Sequence, residues 1–405
     1  MAMTAPLSVE QKKVSFPGKH PSDVIESRPW KIRLFRLRLL SGLFWLAWKM
    51  TGSPIRAFRV LRAIQEKYQK IFGGAMAGKV ACIDDKYYWN IGGAGLPSEA
   101  LIQFWEREIQ GILENRPPLG LRNVFFAITK KCAYHCAHCF EWENLNKPET
   151  LSQKDIKDII QHFQDYGAAQ FILSGGEPLL RFKDILAVLQ SARPDSDFRI
   201  FTSGFSLTQE KAIQLKSVGL TGMTISLDHW QPDLHDAFRG FPGAFEAAEA
   251  ATRYANDAGL VTGLSVCVTR SFCTRENLQA YLELARSWGV AFVQWLEPMP
   301  VGHFQGKDVL LGQEELKLLE DFYLTYNQDP KLRSYPIIEY QGYMQRRVGC
   351  FGAGNRYLYI DTDGDVHRCP FCQDKIARAL EFPVGDMIGL LQGQGCGLSK
   401  LQGRQ

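Results

Sequence analysis

Six short apolar runs recur between residues 121 and 300, and this alternation constrains the fold more than any other feature of the chain. The runs are NVFFAIT, QFILSG, FRIFTSG, GMTISLD, GLSVCVT and FVQWLEP, with helical stretches between them. Helices are predicted to begin near Ser152, Phe182, Thr208, Gly243 and Thr274, with Ser152 and Asp155 forming an N-terminal cap. Strands that are apolar on both faces and joined by helices form a parallel sheet. Six units are too few to close an eight-unit barrel. The chain is therefore expected to be an α/β protein built on a partial (βα)6 TIM-like barrel, with its site at the C-terminal strand ends.

The flanks differ in composition from this core. Residues 1–120 read as an N-terminal extension, beginning with a polar, Pro-containing tail expected to be mobile. From Arg28 to Lys70 there are eleven Lys/Arg and one acidic residue, Glu66, with Trp30, Phe35, Phe44, Trp45, Trp48 and Phe58 among them. Gly52 and Pro54 divide this stretch into two helices. A hairpin, VACID-DK-YYWNI, and a helix near 98–113 follow. Residues 301–405 form a third region, with a helix near 313–326 and then a Cys-, Gly- and Asp-rich segment. There YLYIDTDGDVHRC reads as a hairpin turning at Asp363-Gly364. The aspartates do not form a calcium loop, which needs Gly at its sixth position and Glu at its twelfth.

The 405 residues, 45% of them hydrophobic, suffice for a large core, and a net charge of +4 points to no nucleic-acid partner. The first residues do not read as a secretory signal, so a reducing cytosol is expected. In that setting the ten cysteines are metal ligands or ordinary thiols. The longest apolar run, 39–48, is about half of what a membrane span requires.

The first strand leads directly into Cys132-Ala-Tyr-His-Cys136-Ala-His-Cys139, spaced C-x3-C-x2-C. Thiolates are the soft ligands that iron–sulfur clusters prefer, and three of them leave one iron of a four-iron cubane open. Zinc is the competing reading, with His135 or His138 as nitrogen ligands. The second strand ends in Ser174-Gly175-Gly176-Glu177-Pro178. Its glycines permit close approach of a ligand, and its carboxylate could accept from an ammonium.

Together these segments resemble the radical S-adenosylmethionine (radical SAM) superfamily over residues 121–300. The resemblance implies that Cys132, Cys136 and Cys139 hold a 4Fe–4S cluster whose open iron binds S-adenosylmethionine. Gly175, Gly176 and Glu177 match the family's GGEP motif, and the backbone there would hold the methionine amino group. Thr202-Ser203-Gly204 resembles the segment that contacts ribose or methionine. Ser226-Leu227-Asp228 with His235-Asp236 and Arg239-Gly240 is similar to a pattern in members with SPASM or Twitch extensions. By that likeness Ser226 and Arg239 approach the methionine carboxylate, although a surface ion pair would also account for Arg239. His138 stands where the family commonly carries a large aromatic near the adenine. Asp228 is a candidate proton acceptor or loop anchor. Glu297 is a candidate substrate contact or a helix cap. Cys267 reads as a small buried hydrophobe, and Cys82 and Cys273 suggest no partner.

Cys350, Cys369, Cys372 and Cys396 form a second set. Cys350 lies fourteen residues before Gly364 and Cys369 five after it, resembling the start of the SPASM signature. Four cysteines imply one auxiliary iron–sulfur cluster of the Twitch type, with zinc as the alternative.

The resemblance implies reductive cleavage of S-adenosylmethionine to a 5′-deoxyadenosyl radical, which abstracts hydrogen from a substrate. It also implies a low-potential donor of flavodoxin or ferredoxin type. A peptide is one expected substrate. A lipid or lipid-linked molecule is the other, reached by peripheral contact of residues 28–72 with the inner face of a membrane. A non-catalytic electron-transfer or sensor protein is the third reading.

Overall fold

The structure is a computed structural model that describes residues 24–73, 78–115 and 121–393. The six expected strands are present as β4 (Asn123–Ala127), β5 (Gln170–Ser174), β6 (Asp197–Thr202), β7 (Gly222–Ser226), β8 (Val261–Cys267) and β9 (Phe292–Leu296). They pair in parallel in that order. Between them run α4 (Gln153–Tyr166), α5 (Phe182–Ser191), α6 (Gln209–Ser217), α7 (Pro232–Arg239), α8 (Ala244–Asp257) and α9 (Arg275–Ser287). Ser152, Thr208 and Thr274 each cap a helix through the side-chain oxygen, and Ser152 with Asp155 forms a full capping box. Every residue of β8 is buried, as expected for a strand covered on both faces.

The sheet continues past residue 300. After α10 (Gln313–Gln328), β10 (Ile337–Tyr340) joins β9 in parallel, and α11 (Gln341–Val348) follows. β11 (Tyr357–Ile360) then crosses to the far edge and pairs in parallel with β4. Eight parallel strands thus run β10-β9-β8-β7-β6-β5-β4-β11. The antiparallel β12 (Asp365–His367) and β13 (Ala377–Arg378) extend the β11 edge. The expected C-terminal hairpin is β11–β12. Asp361 Oδ1 accepts from the amides of Asp363 and Asp365, so this aspartate organises a turn. The last helix described is α12 (Val384–Leu391), packed on α4.

The N-terminal extension is a separate layer. β1 (Ile25–Glu26) pairs with the expected hairpin, β2 (Val80–Ile83) and β3 (Lys86–Tyr88), which turns through left-handed Asp84 and Asp85. Helices α1 (Pro29–Thr51) and α2 (Pro54–Phe72) break at Gly52, as expected, and pack with α3 (Glu99–Leu113). The loop after β3 covers the N-terminal ends of the barrel strands. Arg122 donates to Gly92 O and Asn90 Oδ1 (both 2.6 Å), and Arg199 donates to Gly93 O (3.1 Å). The opposite, C-terminal end of the sheet is left for the site. Among the described residues no helix is long and apolar enough to cross a membrane. The tail before Val24 and Cys396 lie outside the described residues.

Candidate active site

The cysteine loop leaves the end of β4 and is clamped from two sides. The amides of His135 and Ala137 donate to Arg239 O (3.0 Å) and Phe238 O (2.9 Å) at the end of α7. The amide of His303 donates to Cys139 O (2.9 Å), and Asn146 bonds both the amide and the carbonyl of Cys132. Two glycines permit this fit. A Cβ on Gly240 (φ +61) would lie 2.7 Å from His135 O, and one on Gly302 (φ +56) would lie 2.3 Å from Cys139 O. Gly175 and Gly176 act similarly at the end of β5, where added Cβ atoms would meet Thr129 O and Lys131 O.

Cys132, Cys136 and Cys139 line a cavity at the C-terminal strand ends. Burial pushes the Cys132 thiol up to about 11 and Cys139 up to about 12. Burial also raises Cys136, although Arg239 Nη1 donates to its Sγ at 3.6 Å and works against the rise. Such thiols become thiolates only when a cation takes the place of the proton. Among the described residues no three His, Cys, Asp or Glu converge as single-ion ligands. Three soft donors lining one cavity fit a cluster bridging between them.

The same cavity is lined by Gly175, Gly176, Ser203, Ser226, Asp228, Arg239, His138 and Glu297, which brings together most of the residues singled out in the sequence. Glu177 lies outside this lining, as do Cys350, Cys369 and Cys372, and its expected contact with an ammonium is corrected here. Its Oε1 accepts from Leu179 N (3.0 Å) and Thr202 Oγ1 (2.6 Å), and its Oε2 from Ser203 N (2.8 Å) and Ser203 Oγ. All its acceptor capacity is turned inward, where it fixes the Thr202-Ser203 segment.

Asp228 is likewise committed. Its Oδ1 accepts from Cys267 N (2.8 Å), and its Oδ2 lies 2.6 Å from Arg239 Nη2. Burial would raise this carboxyl, but the Arg239 guanidinium beside it holds it below the usual carboxylate range. In this arrangement the ionised carboxylate holds Arg239 to the end of β8. His138 stacks on Phe238 with centroids 5.0 Å apart, and burial lowers its pKa to about 4. The neutral ring serves as a flat aromatic in the cavity wall. Glu297 Oε1 accepts from Tyr340 Oη and Arg346 Nη1, both at 2.7 Å. No hydrogen bond is made to its Oε2 among the described residues. Arg346 also holds Glu320 at 3.0 Å, so Glu297 sits in a charged network and caps no helix.

The lining also includes the apolar side chains Phe140, Leu296, Met299, Val301, Phe304 and Phe371. Phe371 belongs to the second cysteine set. Cys369 and Cys372 form a tight turn with sulfurs 3.4 Å apart, and the Pro370-Phe371 tip between them reaches the cavity. Cys350 precedes a loop that passes alongside, where an added Cβ on Gly352 would lie 3.2 Å from Cys369 Cβ. Sequence reasoning missed several cavity residues, among them Gln294, Gln341 and Tyr357. The first is inside a strand, and the last two belong to elements whose place beside the barrel no local pattern announces.

Residues 126–286 match the sequence profile of the Radical SAM superfamily. An AdoMet-dependent heme synthase of Nitratidesulfovibrio vulgaris is 27% identical over 281 residues, 62% of this chain and 74% of that enzyme. The mycofactocin maturase MftC of Mycolicibacterium smegmatis is 28% identical over 250 residues, covering 60% and 63%. The crystal structure of Streptococcus suis SuiB bound to precursor peptide SuiA shares the fold with a TM-score of 0.58 at 16% identity, covering 73% of this chain and 71% of that one. The superfamily uses a 4Fe–4S cluster with S-adenosylmethionine and requires a reductant, and the relatives are enzymes. The cysteine loop, the glycine pair and the buried Arg239–Asp228 pair accommodate those cofactors, and residues 126–286 carry the Radical SAM domain that these enzymes share.

Proposed function

We propose that this enzyme removes a hydrogen atom from a side chain of a peptide bound against the apolar side chains of the cavity. The observation that carries the reading is the mixed lining, in which the three cysteines, Ser203 and Arg239 share one cavity with the apolar Phe140, Met299, Phe304 and Phe371. When bound, the cluster and S-adenosylmethionine supply a 5′-deoxyadenosyl radical. The protein's own residues hold and orient. Cys132, Cys136 and Cys139 ligate the cluster, and Arg239, held by Asp228, stands beside Cys136. Ser203, fixed by Glu177, and Ser226 face the methionine and ribose. His138 packs its ring against the adenine. The apolar side chains exclude water from the reacting carbon. Glu297, with one oxygen taken and the other free, accepts a hydrogen bond from the bound peptide.

Cys350, Cys369 and Cys372 would hold an auxiliary cluster, with Cys396, outside the described residues, as the fourth ligand expected from the sequence, and the Phe371 tip between Cys369 and Cys372 reaches the cavity. The peptide reading is supported by SuiB, whose structure contains a precursor peptide. A lipid substrate draws no support from the cavity, since among the described residues none before Phe125 lines it. The comparisons lend no support to a non-catalytic protein.

The test is anaerobic reconstitution with iron, sulfide, dithionite and S-adenosylmethionine, adding short peptides encoded beside the gene. Formation of 5′-deoxyadenosine stimulated by one peptide, with deuterium carried from that peptide into the product, is expected. Stimulation by a non-peptide molecule alone would overturn the substrate. No deoxyadenosine under any condition would overturn the chemistry.

A further inference from the structure

Helix α1 is apolar on two faces. One face, with Ile32, Phe35, Leu43, Leu46 and Ala47, is buried against α2, α3 and the β2–β3 hairpin. The other carries Trp30, Leu34, Leu37, Trp45 and Trp48, all between 41 and 64% exposed. At 3.6 residues per turn these five positions fall within a sector about 80° wide, in a stripe about 27 Å long. The start of α2 adds Ile55 and Phe58, 68 and 63% exposed. Large apolar surfaces of this kind on a soluble fold mark a contact site.

The charges around the stripe identify the contact. Arg33, Arg38, Lys49, Arg56, Arg59 and Arg62 are exposed on the same two helices. The single carboxylate there, Glu66, is taken by Arg62 at 2.9 Å. A second copy docking through this face would set arginines against arginines with no carboxylate between them. An anionic bilayer offers phosphates to the guanidinium groups and a headgroup–acyl boundary to the indoles. Arginines at 33, 36 and 38 interrupt α1 as a spanning helix, and it does not qualify as one. It suits a helix lying in the interface plane.

We propose that the α1–α2 hairpin docks this enzyme on an anionic lipid surface, with the Trp30–Trp48 stripe inserted and the flanking arginines on the phosphates. The hairpin packs on the layer that covers the N-terminal strand ends and contributes nothing to the cavity. Docking therefore leaves the mouth open to a water-soluble substrate, and the inference is independent of the substrate proposed above.

The experiment is flotation of the reconstituted full chain with phosphatidylcholine vesicles, with and without phosphatidylglycerol. Binding to the anionic vesicles alone is expected. The double variant W45E/W48E should abolish flotation. The triple variant R33E/R38E/R59E should weaken partitioning by on the order of a hundredfold or more, since each basic side chain near such a surface contributes roughly fivefold. Both variants should keep the wild-type circular dichroism, thermal midpoint and deoxyadenosine yield, because these side chains are exposed and remote from the cavity. Absence of flotation, equal flotation with neutral vesicles, or variants that float like wild type would each overturn the proposal. So would a wild-type dimer that W45E/W48E splits in sedimentation without any vesicle binding, or retention on polyglutamate without vesicle binding.

Discussion

Replacing Glu177 by glutamine distinguishes a residue that positions the cofactor segment from one that touches the cofactor. Each carboxylate oxygen of Glu177 faces one backbone amide, Leu179 on one side and Ser203 on the other, besides a hydroxyl. The hydroxyls can rotate to accept from an amide NH2, but the backbone N–H groups cannot. Either orientation of the substituted side-chain amide therefore leaves one buried N–H facing another donor, at a cost of about 1–3 kcal/mol. The E177Q protein should melt below wild type both before and after cluster reconstitution. It should bind S-adenosylmethionine more weakly because the Thr202-Ser203 segment shifts. E177A, which removes all four bonds and opens a void, should be worse on both counts. The assays are thermal melting by circular dichroism and anaerobic titration calorimetry with S-adenosylmethionine. If E177Q melts like wild type yet loses S-adenosylmethionine binding, the carboxylate contacts the ligand directly and the positioning argument is wrong.

Other expectations follow from the same contacts. D228N leaves the buried Arg239 without its counter-ion and should destabilise the fold by roughly 3–5 kcal/mol, read as a drop in denaturant midpoint; an unchanged midpoint would mean that Arg239 finds another partner. G302A places a Cβ against Cys139 O at a left-handed position, so iron and sulfide content after reconstitution should fall below wild type. C369A should lower iron content by the auxiliary complement alone, whereas C139A should remove deoxyadenosine formation altogether. Glu26 supplies a pH test. Arg28 first, then Lys31, outweigh burial and hold its carboxyl at about 2. The folded pKa lies below the unfolded one, so the stability Glu26 contributes is present above about 4.5 and is lost as pH falls toward about 2. The stability difference between wild type and E26Q should shrink across that window and stay constant at neutral pH.

The core and the cysteine loop were legible because their signals are local. A strand such as GMTISLD shows its apolar run and its terminal aspartate in one glance, and Ser152, with Asp155 three residues on, announces the helix that starts at Gln153. The rest depends on neighbours distant in sequence. Four-residue strands such as IIEY and YLYI carry no mark that one extends β9 and the other pairs with β4. Nothing near Glu177 indicates that Thr202 and Ser203 consume its oxygens. Asp228 and Arg239 were both singled out, but their pairing with each other needed the turn of α7. Helix α1 reads as weakly patterned because both its faces are apolar, one for the protein and one for something else.

The placement of β11 beside β4 has a consequence for how the polypeptide is made. β4 carries the cluster loop, yet one of its edges is completed only by a strand synthesised about 230 residues later. At about 5–20 residues per second the ribosome needs on the order of ten to fifty seconds to close that gap. Throughout that interval the nascent chain presents an apolar, unpaired parallel edge next to three exposed thiols, which is a template for mispairing.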